Sequence, residues 1–251
     1  MSLPCHTRTF HDGLTWLSQS HTITKTHYFK ILGGLLMTML VQCMSGMIPI
    51  LSIIIGPIIS AAMWAGLLLF VHMLFQSKNP DIQVLFTCFN ENRGRWLHLI
   101  LIQFFPWAFT IVFLILPIGI FLFMFGNFGS IEHQLEQFAQ NPTITSPIAI
   151  LTGISLLIYV LVALLVVTPA MLYALPLSFF EKLSAQDALR LSFHASWKNM
   201  YALTGYSLVL FGMSLFGILF FFIGIFFVFP WIITSYMKSY YEIFSIPNIN
   251  T

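Results

Sequence analysis

Charged side chains are scarce in this sequence of 251 residues. Lys and Arg number 10, Asp and Glu number 8, and together they form 7% of the chain; about a quarter of a typical soluble domain is charged. The formal net charge of +2 provides no broad basic surface, so we expect no nucleic-acid partner. Hydrophobic residues form 58% of the chain and the mean hydropathy is +0.90, which is typical of a multi-pass membrane protein.

Cysteine pairs and metal-ligand patterns are lacking as well. Cys5, Cys43 and Cys88 are widely spaced and odd in number, so the sequence predicts neither a disulfide framework nor a CxxC metal site. Several histidines lie in the polar N-terminal segment, but their spacings fit no compact ligand set on one helix or turn. We expect no metal and no other cofactor.

Ionisable groups are rare in the apolar segments. No Asp, Glu, Lys or Arg lies in a predicted span, although such residues at membrane depth usually mark ion or proton pathways. His72 and His98 could face each other there, but we favour two hydrogen-bonded histidines over a metal or proton site. Without a cluster of acid, base and nucleophile, the sequence predicts that the protein is not an enzyme. Isolated polar residues in the spans are expected to form hydrogen bonds between helices; they are Gln42, Gln103, Thr110, Ser155 and Tyr159.

Long apolar segments predict an all-α integral membrane protein with six transmembrane helices. The first two have roughly 17 to 20 residues, about the minimum for a hydrocarbon core of about 30 Å. Pro49, Gly56 and Pro57 predict an uncharged turn between them. For residues 202–236, one long tilted helix is the alternative to two spans divided near Gly217. The predicted membrane domain is residues 31–237, with spans at residues 31–47, 57–76, 97–125, 148–180, 202–217 and 219–237.

Basic residues fall on one side of this arrangement. The positive-inside rule therefore predicts that both termini lie in the cytoplasm of a bacterial cell and that the spans cross its inner membrane. Residues 1–30 would form a polar cytoplasmic arm and residues 238–251 a short cytoplasmic tail, whereas Glu132 and Glu136 lie on an outward loop. The ten basic residues are Arg8, Lys25, Lys30, Lys78, Arg93, Arg95, Lys182, Arg190, Lys198 and Lys238.

A short amphipathic helix is predicted within residues 181–201. Ser184 can accept a hydrogen bond from the amide of Asp187, which is the pattern of a helix start. Polar residues then recur at steps of three and four and share one narrow face, and the apolar residues, among them Phe193 and Trp197, form a wide body. Such a helix is typical of the membrane surface. The candidate interfacial residues are Asp187, Arg190, His194, Trp197 and Lys198.

Two further cytoplasmic amphipathic helices complete a threefold pattern. One is expected near residues 12–20, with Trp16 as its membrane anchor, and the other starts where Asn79 caps a helix that has Pro80 in its first turn. Each of the three helices precedes one pair of spans, so the chain is expected to consist of three hairpins. These units have parallel topology, unlike the inverted repeats of many transporters.

The C-terminal motif carries a resemblance to a known family. Ala188, Leu189, Ser192 and Asn199 precede two apolar spans, which end in residues 239–244 with the sequence Ser-Tyr-Tyr-Glu-Ile-Phe. This pattern resembles a family of uncharacterised bacterial six-span inner-membrane proteins, in which the C-terminal motif commonly reads Ser-Tyr-Arg-Asp-Ile-Phe. The chain is more distantly similar to the membrane domain of some glycerophosphodiester phosphodiesterases. The resemblance implies a fold and a location, and it implies no catalytic residue.

Two functional classes follow from these patterns. The favoured one is a structural or accessory membrane protein, or an assembly factor, with membrane lipids and a protein partner or a second copy of itself as partners. The alternative is the binding or transport of a lipid or another apolar substrate, which needs no buried charge. Proline and glycine breaks in the later spans would then serve as hinges.

Overall fold

Most of the part of the chain that the structure describes is helical. The computed structural model describes residues 4–47, 49–91, 96–115, 119, 136, 147–219 and 223–245. It is 89% helical and has no strands in those residues, which confirms the all-α prediction. In chain order the elements are α1 (Phe10–Gln19), α2 (His21–Gly46), α3 (Pro49–Phe75), a 3-10 helix (Ile82–Phe86), α4 (Thr87–Glu91), α5 (Trp96–Thr110), a π-helical turn (Ile111–Ile115), α6 (Pro147–Val162), a second π-helical turn (Ala163–Val167), α7 (Thr168–Leu172), α8 (Ala174–Phe180), α9 (Ala185–Lys198), α10 (Met200–Leu219) and α11 (Ile223–Phe244).

Four helical segments are long and apolar enough to cross a membrane. They are His21–Gly46, Ile55–Phe75, Leu97–Ile115 and Gly153–Phe180, and they overlap the first four predicted spans. The other two predicted spans, residues 202–217 and 219–237, fall in α10 and α11, two separate helices that pack against each other. The apolar part of α10, Met200–Leu215, is shorter than the four long segments.

The expected turn around Pro57 is not formed. Helix α3 begins at Pro49 and continues through Pro57, which is buried in its interior. Proline removes one backbone hydrogen bond, but in apolar surroundings every other amide of the segment still needs a partner inside the chain. A continuous helix meets that need better than the shallow turn that the sequence indicated. The outward loop that was expected around Glu132 and Glu136 lies outside the described residues, except for position 136.

The N-terminal segment packs against α10 and α11, and its helix α1 confirms the short helix expected near residues 12–20. Thr9 and Asp12 form a capping box at the start of α1, with Thr9 N–H donating to Asp12 Oδ2 at 2.7 Å. This hydrogen bond holds the pKa of Asp12 below its usual range. Trp16 is fully buried against other helices, so it is not the exposed membrane anchor that the sequence suggested. Helix α2 then starts at His21 and bends at His27, where its backbone leaves helical geometry.

The second amphipathic segment also starts differently from the prediction. Asp81, rather than Asn79, caps it, because the Asp81 carboxylate accepts from the amide of Ile82 at 2.6 Å. Its first turn is a 3-10 helix, and Leu85 within it is fully buried. Asn79 instead accepts a hydrogen bond from the Lys30 ammonium group. Local sequence identified the segment, but contacts with distant residues decided which polar group became the cap.

The described helices divide into two compact units. The first comprises Met1–Gln103 with Ala170–Thr251, and the second comprises Phe104–Pro169. In the first unit, α11 packs against α1, α2, α3 and α10. Hydroxyl pairs join these helices, as polar groups in apolar surroundings require: Thr24 with Thr234 at 2.6 Å, and Tyr206 with Ser235 at 2.9 Å.

Among its described residues, the second unit has few buried side chains. The Thr110 hydroxyl lies 3.1 Å from the Tyr159 hydroxyl, and Phe109 stacks on Phe113 with ring centroids 4.6 Å apart. The Thr110 and Tyr159 pair is the kind of hydrogen bond between helices that the sequence predicted. Leu157 and Leu164 are each 60% exposed. Broad exposure of aliphatic side chains along a helix fits hydrocarbon better than water.

Candidate functional site

Helix α9 carries the polar face that the sequence predicted. The Ser184 hydroxyl accepts from the Asp187 amide at 3.2 Å, which confirms the predicted cap. All five candidate residues are exposed, and four of them form the polar face. Trp197 packs on Phe193 and is 41% exposed, so part of this apolar residue also lies at the surface. The candidate residues are Asp187, Arg190, His194, Trp197 and Lys198.

The buried face of α9 consists of small residues instead of the aromatic body that was expected. Ala188, Ala195 and Ser192 are fully buried, whereas Phe193 is only partly buried. Small side chains allow a close approach to the preceding helix α8. The Ser192 hydroxyl accepts from the backbone amide of Tyr173 at 2.9 Å. This hydrogen bond occupies an amide at the break between α7 and α8.

A polar cluster forms around Glu242, in the C-terminal motif. Trp16 Nε1 donates to Glu242 Oε2 at 2.9 Å, and the Lys238 ammonium lies 3.4 Å from Glu242 Oε1. The Arg8 guanidinium donates to the main-chain oxygen of Glu242 at 3.0 and 2.5 Å. Glu242 therefore ties the N-terminal segment to the end of α11. Lys238 and Glu242 lie four positions apart on α11, one helical turn from each other.

Asn199, between α9 and α10, holds the same N-terminal segment. Its Oδ1 accepts from the Arg8 amide at 2.7 Å, and its Nδ2 donates to the His6 oxygen at 3.0 Å. Lys198 donates to the main-chain oxygen of Cys5 at 2.7 Å. Partial burial raises the pKa of the Cys5 thiol, which outweighs the attraction of the nearby Lys198 for a thiolate. These contacts bind the N-terminal segment to the junction of α9 and α10.

His72 and His98 have separate partners. His72 Nδ1 lies 2.5 Å from the Tyr241 hydroxyl and its Nε2 lies 2.8 Å from Gln76 Nε2. His98 Nδ1 accepts from the Ala185 amide at 3.5 Å, at the start of α9. Each histidine is hydrogen-bonded to protein, in agreement with the prediction of two hydrogen-bonded histidines. In the described part of the chain, no group of three or more His, Cys, Asp or Glu is placed to hold a metal ion.

An apolar cavity of about 450 Å³ lies within the first unit. Its size falls in the range of small-molecule sites, which is about 300–1,000 Å³. The wall is built from α2, α3, α5, α7, α8, α10 and α11, and almost all of it is aliphatic or aromatic. The lining residues are Leu35, Trp64, Leu68, Gln103, Met171, Leu172, Leu175, Tyr206, Leu210, Phe229, Ile232, Ile233 and Tyr236.

The tyrosine hydroxyl groups on the wall are directed to protein acceptors. Tyr206 lies 2.9 Å from the hydroxyl of Ser235, which itself donates to the Trp231 oxygen at 2.7 Å. Tyr236 donates to the main-chain oxygen of Leu172. Gln103 Nε2 donates to the Ser60 hydroxyl at 3.2 Å, which agrees with its predicted role between helices. The cavity therefore offers hydrophobic contact and few groups for chemistry.

The sequence interpretation missed this cavity, although one signal was present. Apolar segments supplied most of the wall, but nothing in their spacing indicated that seven helices leave a gap together. Gln103 stands alone in an apolar stretch and lines the cavity. Isolated polar residues of this kind mark either helix contacts or ligand sites, and only the fold separates the two.

Comparison with protein-family models, curated proteins and solved structures finds no match for this chain. The resemblance to six-span inner-membrane proteins therefore stays a prediction.

Proposed function

We propose that this protein is a non-catalytic, multi-pass protein of the bacterial inner membrane that binds a lipid-like apolar ligand in the cavity of its first unit. The cavity is the observation that carries this proposal. It is bounded partly by helices long and apolar enough to cross a membrane, so hydrocarbon is the solvent from which its ligand would come. This proposal ranks the sequence's second functional class above its first.

The wall chemistry supports an apolar ligand. None of the thirteen lining residues carries a charge, and aliphatic and aromatic groups such as Leu68, Leu175 and Phe229 dominate. Each methylene of a ligand that leaves water for such a wall gains about 0.8 kcal/mol. A ligand arriving from the bilayer gains less, since its chain is already out of water, and the fit to the wall then sets the affinity.

Contacts at the polar cluster support the proposed six-span topology with both termini in the cytoplasm. Arg8, Lys198 and Lys238 come from three distant parts of the chain, yet all three bond within the network that joins Cys5, Asn199 and Glu242. Basic residues gathered in this way are what the positive-inside rule requires of one membrane face.

Filling the cavity tests the ligand proposal. Leu210 lines the cavity and Leu208, on the same helix, is 57% exposed and does not line it. Leu210→Trp should displace part of a bound chain and lower the affinity, because the displaced methylenes lose their contacts with the wall. Native mass spectrometry of protein released gently from its own membrane would measure the bound lipid, with Leu208→Trp as the matched control.

We expect wild type and Leu208→Trp to retain the same lipid and Leu210→Trp to lose most of it. Equal lipid on all three proteins would assign that lipid to the outer surface and contradict the proposal. A wild-type chain without lipid would contradict it too.

A second candidate, an accessory subunit, is favoured by the exposed residues where α9 meets α10. Trp197 is 41%, Met200 46% and Tyr201 76% exposed, beside the polar face of α9. Aromatic and methionine side chains of this kind are enriched where proteins associate. The same mass spectrum separates the candidates, because a second polypeptide at fixed stoichiometry with no lipid would favour the subunit.

A further inference from the structure

Gln103 is the polar residue on the cavity wall that keeps hydrogen-bonding capacity to spare. A primary amide has two N–H donors and one oxygen acceptor. One end of the amide is used on the Ser60 hydroxyl at 3.2 Å. No further hydrogen bond joins Gln103 to another described residue, which leaves one N–H and the amide oxygen of this lining residue available to a ligand.

The two tyrosines on the wall differ from Gln103 in this respect. Tyr236 directs its proton to the Leu172 oxygen. The Ser235 hydroxyl donates to the Trp231 oxygen, which leaves the Tyr206 hydroxyl as donor to Ser235 at 2.9 Å. Both phenol protons therefore belong to the protein's own hydrogen bonds. Trp64, also on the wall, has an indole N–H and no acceptor. Among the lining side chains, Gln103 is therefore the one that can both donate to and accept from a ligand without giving up a hydrogen bond to the protein.

Charge on the buried part of the ligand is disfavoured. The lining residues include no Lys, Arg, His, Asp or Glu. A phosphate, carboxylate or ammonium group placed here would lose its hydration without gaining a counter-ion. The group that meets Gln103 must therefore be neutral.

Resting on the proposed function, we infer that the ligand is an uncharged long-chain lipid with a hydroxyl group, and that Gln103 receives that hydroxyl inside the cavity. A hydroxyl accepts from the free amide N–H and donates to the amide oxygen, so a single atom satisfies both groups. A buried polar group without a partner is costly in apolar surroundings. Gln103 thereby makes the site selective for alcohols over hydrocarbons of equal length.

Competition between matched probes tests this inference. Full-length protein in phosphatidylcholine nanodiscs is crosslinked to a photoreactive hexadecanol whose diazirine lies in the chain. Unlabelled hexadecanol, hexadecane and hexadecanoate then compete for the labelled site. We expect hexadecanol to compete about tenfold better than hexadecane, the effect of one well-placed hydrogen bond, and hexadecanoate to compete less well than hexadecanol.

Two glutamine variants complete the design. Gln103→Leu should remove the preference for hexadecanol while hexadecane still competes, which shows that the variant is folded. Gln42→Leu, which changes a glutamine outside the cavity wall, should keep the preference. A preference that survives in Gln103→Leu, or equal competition by hexadecanol and hexadecane in the wild type, would overturn the inference.

The outcomes also separate this inference from the proposed function. Competition by hexadecane and hexadecanol alike would retain an apolar site and reject the alcohol. Stronger competition by hexadecanoate would reject the uncharged ligand. No specific crosslink to cavity residues would reject both the site and its ligand.

Discussion

At the scale of single residues, Glu242 connects more of the chain than any local pattern indicates. Its carboxylate accepts from the Trp16 indole and pairs with Lys238, and its main-chain oxygen binds Arg8. The side chains of Lys238 and Glu242 are 14% and 18% exposed. Removing one partner of an ion pair so shielded from water lowers the stability of the fold, because the remaining charge is left without a partner.

Substitutions at Glu242 should therefore lower stability in a graded way. Glu242→Ala removes the acceptor for Trp16 and strands Lys238, at a cost of about 2–3 kcal/mol in the free energy of unfolding, somewhat below the value for a fully buried pair. Glu242→Gln keeps an oxygen that can accept from the indole, so it should lower the free energy of unfolding less than Glu242→Ala does. Thermal unfolding in detergent, followed by tryptophan fluorescence, measures both variants.

Trp16→Phe is the informative companion variant, because it keeps an aromatic ring while it removes the indole donor and part of a buried side chain, and leaves the Lys238 and Glu242 pair in place. We expect Trp16→Phe to lower the unfolding temperature less than Glu242→Ala does. If Glu242→Ala unfolds at the wild-type temperature, the cluster does not hold the N-terminal segment as described.

At the scale of elements, the close crossing of α1 and α10 fixes the N-terminal helix in place. A Cβ atom on Gly13 would collide with the main-chain oxygen of Ala202, and one on Gly205 would lie 2.7 Å from the Phe10 oxygen. Two glycines thus let two backbones touch, as in close helix pairs within membranes. A larger side chain at either position must push the helices apart, since the opposing atoms belong to the backbone.

Gly13→Val should release α1 from this crossing. We expect trypsin to cleave after Arg8 faster, because the Arg8 side chain loses its hold on Glu242 when α1 moves. Gly33→Val, in helix α2 with open space around its Cβ position, is the control for the intrinsic cost of valine in a helix. Equal cleavage rates in the two variants would argue against a tight crossing.

Local chemistry explains which elements were predictable. The cap of α9 at Ser184 needed only a residue three positions away, and the sequence revealed it. The hydrogen bond of Trp16 to Glu242 spans 226 positions, so no spacing rule points to it, and Trp16 was assigned to the membrane surface. Pro57 suggested a break because proline weakens an isolated helix, yet buried surroundings kept the helix continuous.

The cavity was beyond prediction for a related reason. Periodicity tells which face of one helix is apolar, but a gap depends on how several helices pack together. Tyr206 and Gln103 come from segments about one hundred residues apart, and their shared cavity exists only in the folded first unit. Composition alone indicates a membrane protein, since a chain with 58% hydrophobic and only 7% charged residues is unlike a typical soluble domain.

At the scale of the whole molecule, burial differs widely among the long apolar helices. The most apolar window of Ile55–Phe75 is 61% buried in protein, whereas those of Leu97–Ile115 and Gly153–Phe180 are each 17% buried. The exposed part of the latter two is aliphatic and aromatic, which a hydrocarbon environment would accommodate. This exposed apolar surface favours insertion in a membrane. In the topology that we propose, the polar cluster then lies on the cytoplasmic side.

Cysteine labelling in intact cells tests that arrangement most directly. In a chain with Cys5→Ser, Cys43→Ser and Cys88→Ala, single cysteines are introduced by Glu136→Cys and Gln186→Cys, both at exposed positions. An impermeant maleimide should label the first in intact cells, and the second only after the cells are opened. Labelling of the Gln186→Cys protein in intact cells would place α9 outside the cell and contradict the topology proposed for this protein.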